Sequence, residues 1–243
     1  MNKIPDMAII GIETNIRIVD RGSGAIYDSQ NDTLLVAKFD NAFLYRTSIK
    51  STIYNSKAIN NGQIEISDNP AAIKSKSFHH MYFVHYLNSN SGLTFEKDKG
   101  IKVSKFFKVD SLLFENPLLK GGRADFDEQS ILFSKKDISK GLIKETYVYK
   151  SNLNGNYPDT TYLVFDPHWK NSSNYSLSQN IDKVKKMKLI QVSSVYNPTT
   201  TVHNNKKIEM PRRIIDVKIF KPILSNLDSG EIKQAFQNLR TKG

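Results

Sequence analysis

The sequence predicts a strand-rich α+β chain, and three observations carry that prediction. Short runs dense in Ile, Val, Thr, Tyr and Phe recur from one end to the other, whereas apolar residues at helical spacing occur in only three places. The apolar runs are a handful of residues each, far short of the ~20 needed to span a bilayer as a helix. The chain also contains no Cys in 243 residues, 39% of them hydrophobic. It is long enough to bury a core without a disulfide or metal staple, and thiolate zinc sites and Cys nucleophiles are excluded.

The first element is Ala8 to Val19. It opens on the run Ala8-Ile9-Ile10, suited to burial on both faces, and ends with Ile16 and Ile18 alternating against Asn15 and Arg17. The turn Asp20-Arg21-Gly22-Ser23-Gly24 stops it, because glycine accepts backbone angles closed to other residues. Thr33 to Phe39 is a second strand, closed by Asp40-Asn41. Over Thr47 to Tyr54, Ile49 and Ile53 recur at helical spacing behind Ser48, a residue type that caps helices, and the segment reads as a short helix. Further strands are expected at Met81–Leu87, Lys102–Val109, Gln129–Ser134, Ile143–Lys150, Thr161–Phe165, Leu189–Val195 and Ile214–Phe220. Two more helices follow from apolar stripes. One is Ser176 to Lys188 with Leu177, Ile181, Val184 and Met187; the other is Asp228 to Arg240 with Ile232, Ala235, Phe236 and Leu239, capped by Asp228.

No repeat, low-complexity tract or linker divides the chain, so residues 1–243 read as one domain. Long polar stretches near 55–76, 88–100, 151–159 and 196–210 are excursions from it, either hairpins or loops. The N-terminal residues Met1 to Asp6 lack an apolar core of leader length, and the expected location is cytoplasmic.

The formal charge is +11, and it is concentrated. From Lys183 to Lys221 there are ten basic residues against two acidic ones, Glu209 and Asp216, a net of +8. The surplus falls in two clumps, Lys183 to Lys188 and then Lys206-Lys207 with Arg212-Arg213. Clustered cations of this kind suit a phosphate backbone. No strongly amphipathic basic helix accompanies them, so a membrane surface fits less well.

Catalytic signatures are sparse. His80 and His85 stand five apart with no carboxylate between them, which does not match a helical zinc motif. No nucleophile elbow, phosphate-binding glycine loop or dinucleotide fingerprint occurs. Gly121-Gly122-Arg123 reads as a turn whose Arg is in reach of an anion. A metal-dependent nuclease would draw on Asp125, Asp127, Glu128, Asp159 or Asp166, but no strand with an acid–x–Lys pattern follows the first three. Aromatic and basic residues mix in Phe43-Leu44-Tyr45-Arg46, Phe106-Phe107-Lys108 and Tyr147-Val148-Tyr149-Lys150. Such mixtures serve single-stranded nucleic acid, and are equally ordinary where one ring points into a core.

One stretch carries more. A strand to Val19, the turn Arg21-Gly22-Ser23-Gly24, Asn31-Asp32, the strand Leu34 to Lys38, and Phe43 to Lys50 around Ser48 follow one another between Gly11 and Asn55. In that order they resemble the opening of the RAMP superfamily, whose members include the backbone subunits that coat CRISPR guide RNA in antiviral defence. A fainter echo runs from Arg123-Ala124-Asp125 to Glu145. The proline and glycines usual around the family's serine turn are missing here, where Tyr45-Arg46-Thr47 and Ser51 stand, as is a glycine-rich loop near the C-terminus.

The resemblance implies a ferredoxin-like (RRM-like) core with inserted loops or hairpins. It also implies a ribonucleoprotein subunit polymerised along single-stranded guide RNA beside other subunits or copies of itself. Ser48 would offer backbone N–H groups at a helix N-terminus to a phosphate, with Lys50 adjacent. Arg21, Arg46, Arg123, Lys206, Lys207, Arg212 and Arg213 would touch the RNA backbone. In target-cutting relatives a loop aspartate serves metal-dependent cleavage, and Asp32 is the position it maps to. The expectation is nonetheless a non-catalytic RNA-binding subunit with no metal or other cofactor. Two alternatives stand beside it: a structural or assembly subunit, as of a phage or secretion machine, and a metal-dependent nuclease.

Overall fold

The computed structural model describes residues 7–19, 26–54, 56–58, 64–66, 73–96, 102–115, 117–120, 130–149, 158–169, 175–203 and 206–242. β1 (Ala8–Val19), β2 (Ile26–Phe39) and β3 (Ala42–Tyr54) are followed by the short pair β4 (Ser56–Ala58) and β5 (Ile64–Ile66). Then come β6 (Ile73–Tyr86), β7 (Ser91–Glu96) and β8 (Lys102–Lys108). Two short helices, α1 (Val109–Glu115) and α2 (Pro117–Lys120), precede β9 (Ser130–Asp137), β10 (Ile143–Tyr149) and β11 (Thr160–Asp166). α3 (Gln179–Lys185) leads to β12 (Lys188–Tyr196), β13 (Thr199–His203), β14 (Lys206–Met210), β15 (Arg212–Phe220) and α4 (Asn226–Lys242).

Eleven of these strands form one sheet in the order β8-β7-β6-β3-β2-β1-β15-β12-β11-β10-β9, and all of its pairings are antiparallel. Apart from the β1–β15 contact, neighbours follow chain order, once the two inserted hairpins β4–β5 and β13–β14 are passed over. The strand-rich prediction therefore holds. The ferredoxin-like expectation is not met by this order. Its building unit, two parallel strands joined through a helix with a third strand between them, does not occur among the described elements. α3 joins β11 to β12, which are antiparallel neighbours, and α1 and α2 join strands at opposite edges of the sheet.

Both faces of the central strands are covered, which is why β1 and β2 read as continuous apolar runs. On one face Ile10, Ile12, Leu34, Val36, Tyr45 and Ile219 join Leu163 and Phe165 of β11, Leu112 of α1, Leu119 of α2 and Ile181 of α3 in a single cluster. On the other, Leu35, Ala37, Leu44, Val84, Leu93 and Phe95 pack against Ile232, Ala235, Phe236 and Leu239 of α4. Each large apolar side chain buried in this way contributes about 1.5–3 kcal/mol. α4 is thus the predicted helix with its predicted apolar face. Its cap is Ser225, not Asp228. The Ser225 hydroxyl accepts from the Asp228 backbone N–H at 3.1 Å and donates to the Asp228 carboxylate at 2.6 Å, a capping-box arrangement.

Two helix expectations need correction. Thr47 to Tyr54 is not helical: it continues β3, paired with β6 from Thr47–Met81 out to Tyr54–Ile73. Two Ile at helical spacing are a weak signal, and the β-branched Thr47, Ile49, Thr52 and Ile53 beside a long complementary strand outweigh it. The helix read over Ser176 to Lys188 is shorter, because Ser178 caps it by accepting from Ile181 N–H at 3.1 Å and Lys186 ends it at a φ of 54°. The long polar excursions near 55–76 and 196–210 contain the hairpins β4–β5 and β13–β14. Of the one near 88–100, the described part is a tight turn followed by β7, and residues 97–100 lie outside the described residues.

β2 pairs with β3 only from Leu35–Arg46 to Phe39–Ala42, and β7 pairs with β6 only from Met81 to Val84. Beyond these points β3 and β6 run on together as a two-stranded ribbon. β12 and β15 are similarly prolonged by β13–β14. Both extensions leave the same end of the sheet.

Where β1 meets β15, Gly11 lies opposite Phe220, and a Cβ at Gly11 would come within 2.3–2.8 Å of the Phe220 ring. Gly11→Ala is therefore expected to destabilise the fold by about 1–3 kcal/mol, measured as a lower urea midpoint. Adding Phe220→Leu should recover most of the loss.

Candidate nucleic-acid interface

The second basic clump maps onto one hairpin. Lys206 and Lys207 lie on β14, and Arg212 and Arg213 open β15. Thr199 pairs with Met210 and Tyr196 with Arg213, so the hairpin β13–β14 prolongs the β12–β15 ladder. Lys207 and Arg212 are exposed. From Lys206 to Arg213 an extended strand covers about 23 Å, enough for several phosphates of a single strand.

At the base of this hairpin the Arg213 guanidinium lies 4.6 Å from the centre of the Tyr196 ring. Both side chains are half-buried on adjacent strands. A guanidinium over a phenol ring is a cation–π contact, and it brings together a cation and an aromatic ring, the two kinds of group that hold phosphates and bases of a single strand. Two strands further out, Lys144 lies 4.2 Å from the Tyr162 ring. Sequence reasoning missed both tyrosines. The only sign of Tyr196 was its place at the end of an alternating strand before Asn197-Pro198.

Two lysines of the first basic clump, Lys185 and Lys188, do different work, while Lys183 and Lys186 are exposed. Lys185 of α3 reaches Glu145 at 2.6 Å, and Glu145 is only 1% exposed. The Tyr147 hydroxyl donates to the same carboxylate at 2.7 Å. Burial, then Glu145 itself, pushes the Tyr147 phenol up and keeps it protonated. Lys188 is held by Asp182 at 2.8 Å and by the Tyr175 carbonyl at 2.7 Å. These lysines fasten α3 to β10 and β12. They also sit at the opposite end of β12 from Tyr196, roughly 26 Å away, so the two clumps do not converge on one loop.

Other expected contacts are separated from the hairpin or already engaged. Arg46 is paired with Asp228 at 2.9 Å, and Tyr82 beside it donates to Glu231 at 2.5 Å. Together they fasten α4 to β3 and β6. The hydrogen bond from Ser225, and to a smaller degree Arg46, hold the Asp228 carboxyl below its usual range. Ser48 lies in a strand, its hydroxyl near the Thr33 carbonyl at 3.5 Å and His80 Nδ1 at 3.2 Å. With no helix beginning there, the phosphate site inferred at its N–H groups is not formed. Asp32 is in β2 and not in a loop, where its carboxylate accepts from Thr33 N–H. Lys50 lies on β3 and Lys206 on β14, with side chains outside the described residues, as are Arg21 and Arg123 altogether.

Several candidate groups are core components. Phe43, Tyr45, His85 and Phe107 make ring contacts at 5.6–6.4 Å in the large cluster. Burial lowers the His85 pKa and pushes the Tyr45 phenol up to about 12. Asp159 accepts from the Asn197 N–H at 2.6 Å. Asp125, Asp127 and Glu128 lie outside the described residues, and among the described residues no three His, Asp or Glu side chains gather as metal ligands.

No protein-family model matches the chain, and no curated protein matches it in sequence.

The division between structural and free cations is measurable. Lys185→Met leaves the buried Glu145 without its closest cation and should cost about 3–5 kcal/mol in urea unfolding. Adding Glu145→Gln should restore much of that, whereas Lys183→Ala at an exposed position should stay within about 0.5 kcal/mol.

Proposed function

We propose that this chain is a non-catalytic subunit of a ribonucleoprotein that holds single-stranded RNA by its backbone. The contact surface is the β13–β14 hairpin and its base. The observation that carries the reading is the Arg213–Tyr196 cation–π contact at the root of a hairpin that bears Lys206 and Lys207, with Arg212 beside it on β15. The cations would neutralise phosphates without reading sequence, and the ring with its guanidinium would take a base on its face. The RAMP resemblance points to the same ligand class, a guide RNA shared with other subunits. The hairpin, and not the serine segment of the resemblance, is where the chemistry collects.

A second reading, an assembly subunit, draws on β8 and β9, which end the strand order of the sheet among the described residues. It predicts self-association of the purified chain without nucleic acid.

The two separate in a titration of the chain with a fluorescent oligouridylate over a range of salt. Affinity should fall with salt by about 0.7 log units per log unit for each phosphate neutralised. Lys207→Ala with Arg212→Ala should reduce that slope by roughly two contacts. Arg213→Lys should weaken binding by about tenfold with the slope unchanged, because it keeps the charge and loses the planar guanidinium. Absent or salt-insensitive binding would remove the proposal.

A further inference from the structure

We propose that the groove between the C-terminal half of α4 and the neighbouring ends of β1 and β2 binds a small aromatic carboxylate, a molecule of one ring and one acid group. Six residues line it, Met7, Phe39, Lys233, Phe236, Gln237 and Arg240, around a cavity of about 170 Å³. The site is separate from the RNA surface. It opens at the Met7 end of β1, whereas the basic hairpin leaves from the Val19–Arg212 end, roughly 40 Å along the strand.

Register and helical spacing put these residues together. Ala8 pairs with Lys38, so Met7 and Phe39 come side by side where β1 starts and β2 ends. On α4 the residues 233, 236, 237 and 240 follow the i, i+3, i+4, i+7 spacing of one stripe. Phe236 is the buried member of that stripe, and its ring centre lies 5.5 Å from that of Phe39. Lys233, Gln237 and Arg240 are exposed. The result is an apolar floor of Met7, Phe39 and Phe236 beneath a rim of three side chains that all carry N–H donors.

Size and charge define the ligand. An apolar cavity of about 150 Å³ takes up benzene, so this volume admits one ring and would leave most of a long acyl chain in water. The lining holds two cations and no acid. Asp40 stands beside it, 3.7 Å from Arg240 and beyond hydrogen-bond reach, with the two side chains 69% and 56% exposed. An exposed pair of that kind contributes little. The Arg240 guanidinium lies 5.0 Å from the centre of the Phe39 ring, over the apolar floor. A carboxylate at the rim meets Lys233 and Arg240 with the Gln237 amide between them, while the ring attached to it covers Phe39 and Phe236. A nucleobase fits less well. Its several edge donors and acceptors would be desolvated against the apolar floor, with Gln237 the one uncharged polar side chain of the lining to pair with them. Inorganic phosphate would leave that floor in water.

The test uses the full chain with isotopically labelled methionine methyl groups, read by nuclear magnetic resonance. The chain has five methionines, and the Met7 signal is identified by its loss in Met7→Leu. Phenylacetate should shift the Met7 methyl in a saturable way, with half-saturation at about 1 mM or below. Phenylacetamide, which has the same shape without the charge, should bind at least about fivefold more weakly, and inorganic phosphate should not shift the signal. Lys233→Gln and Arg240→Gln should each weaken phenylacetate by about fivefold and leave phenylacetamide unchanged. Asp40→Asn removes the acid that competes for Arg240, and Asn accepts the left-handed φ of 56° at that position. That variant should bind phenylacetate about twofold to threefold more tightly, a gain that damage to the fold would not produce.

No saturable shift, equal binding of the acid and the amide, or indifference to both rim substitutions would overturn the proposal. So would displacement of phenylacetate by oligouridylate, which would assign the groove to RNA, or tighter binding there of uridine monophosphate than of phenylacetate. If phenylacetate docks and oligouridylate does not bind, this site stands and the RNA reading falls.

Discussion

The fold depends on one pairing between distant parts of the chain. β1 and β15 zip together from Gly11–Phe220 to Val19–Arg212. This ladder joins β1-β2-β3-β6-β7-β8 to β15-β12-β11-β10-β9, two runs of antiparallel neighbours that share no other strand pairing among the described residues. Arg17 and Asp216, 199 residues apart in sequence, form an ion pair across it. The geometry is demanding, since Phe220 lies where any side chain at position 11 would have to go. A chain whose terminal strands must find each other closes a long loop before the contact is rewarded, so folding is expected to be slow relative to a helical protein of this size.

The same pairing positions the proposed interface. β15 begins at Arg212, immediately after the β13–β14 hairpin, and its ladder with β12 brings Tyr196 under Arg213. The basic stretch is thereby sorted by burial. Lys185 satisfies the buried carboxylate of Glu145 and Lys188 the half-buried Asp182, and the charge of these two is spent inside the molecule. Lys207 and Arg212 face water. Charge in a linear sequence does not distinguish these roles, because a lysine's partner can lie on any strand.

Strands were legible wherever β-branched and aromatic residues ran together, and β1 matches its predicted span of Ala8–Val19. The apolar stripe of α4 was legible too, because four residues at helical spacing overdetermine a face. Illegible features were those set by partners remote in sequence. Ile49 and Ile53 suggested a helix until β6 supplied a strand to pair with, and that change removed the site attributed to Ser48. Arg46 read as a free cation because Asp228 stands 182 residues away. The cation–π contact was hidden for the same reason: Tyr196 and Arg213 are unremarkable until register makes them neighbours. Lys206, Lys207, Arg212 and Arg213 stay near one another because a hairpin keeps local sequence together in space.

The most direct measurement of the central claim is hydrogen–deuterium exchange of the chain with and without oligouridylate. The account predicts that β1 and β15 are among the slowest amides in both states. It also predicts that added RNA slows exchange across residues 196–213 while leaving β9 and α3 as they were. Protection centred on α3, or on the β3–β6 ribbon with residues 196–213 unchanged, would contradict it.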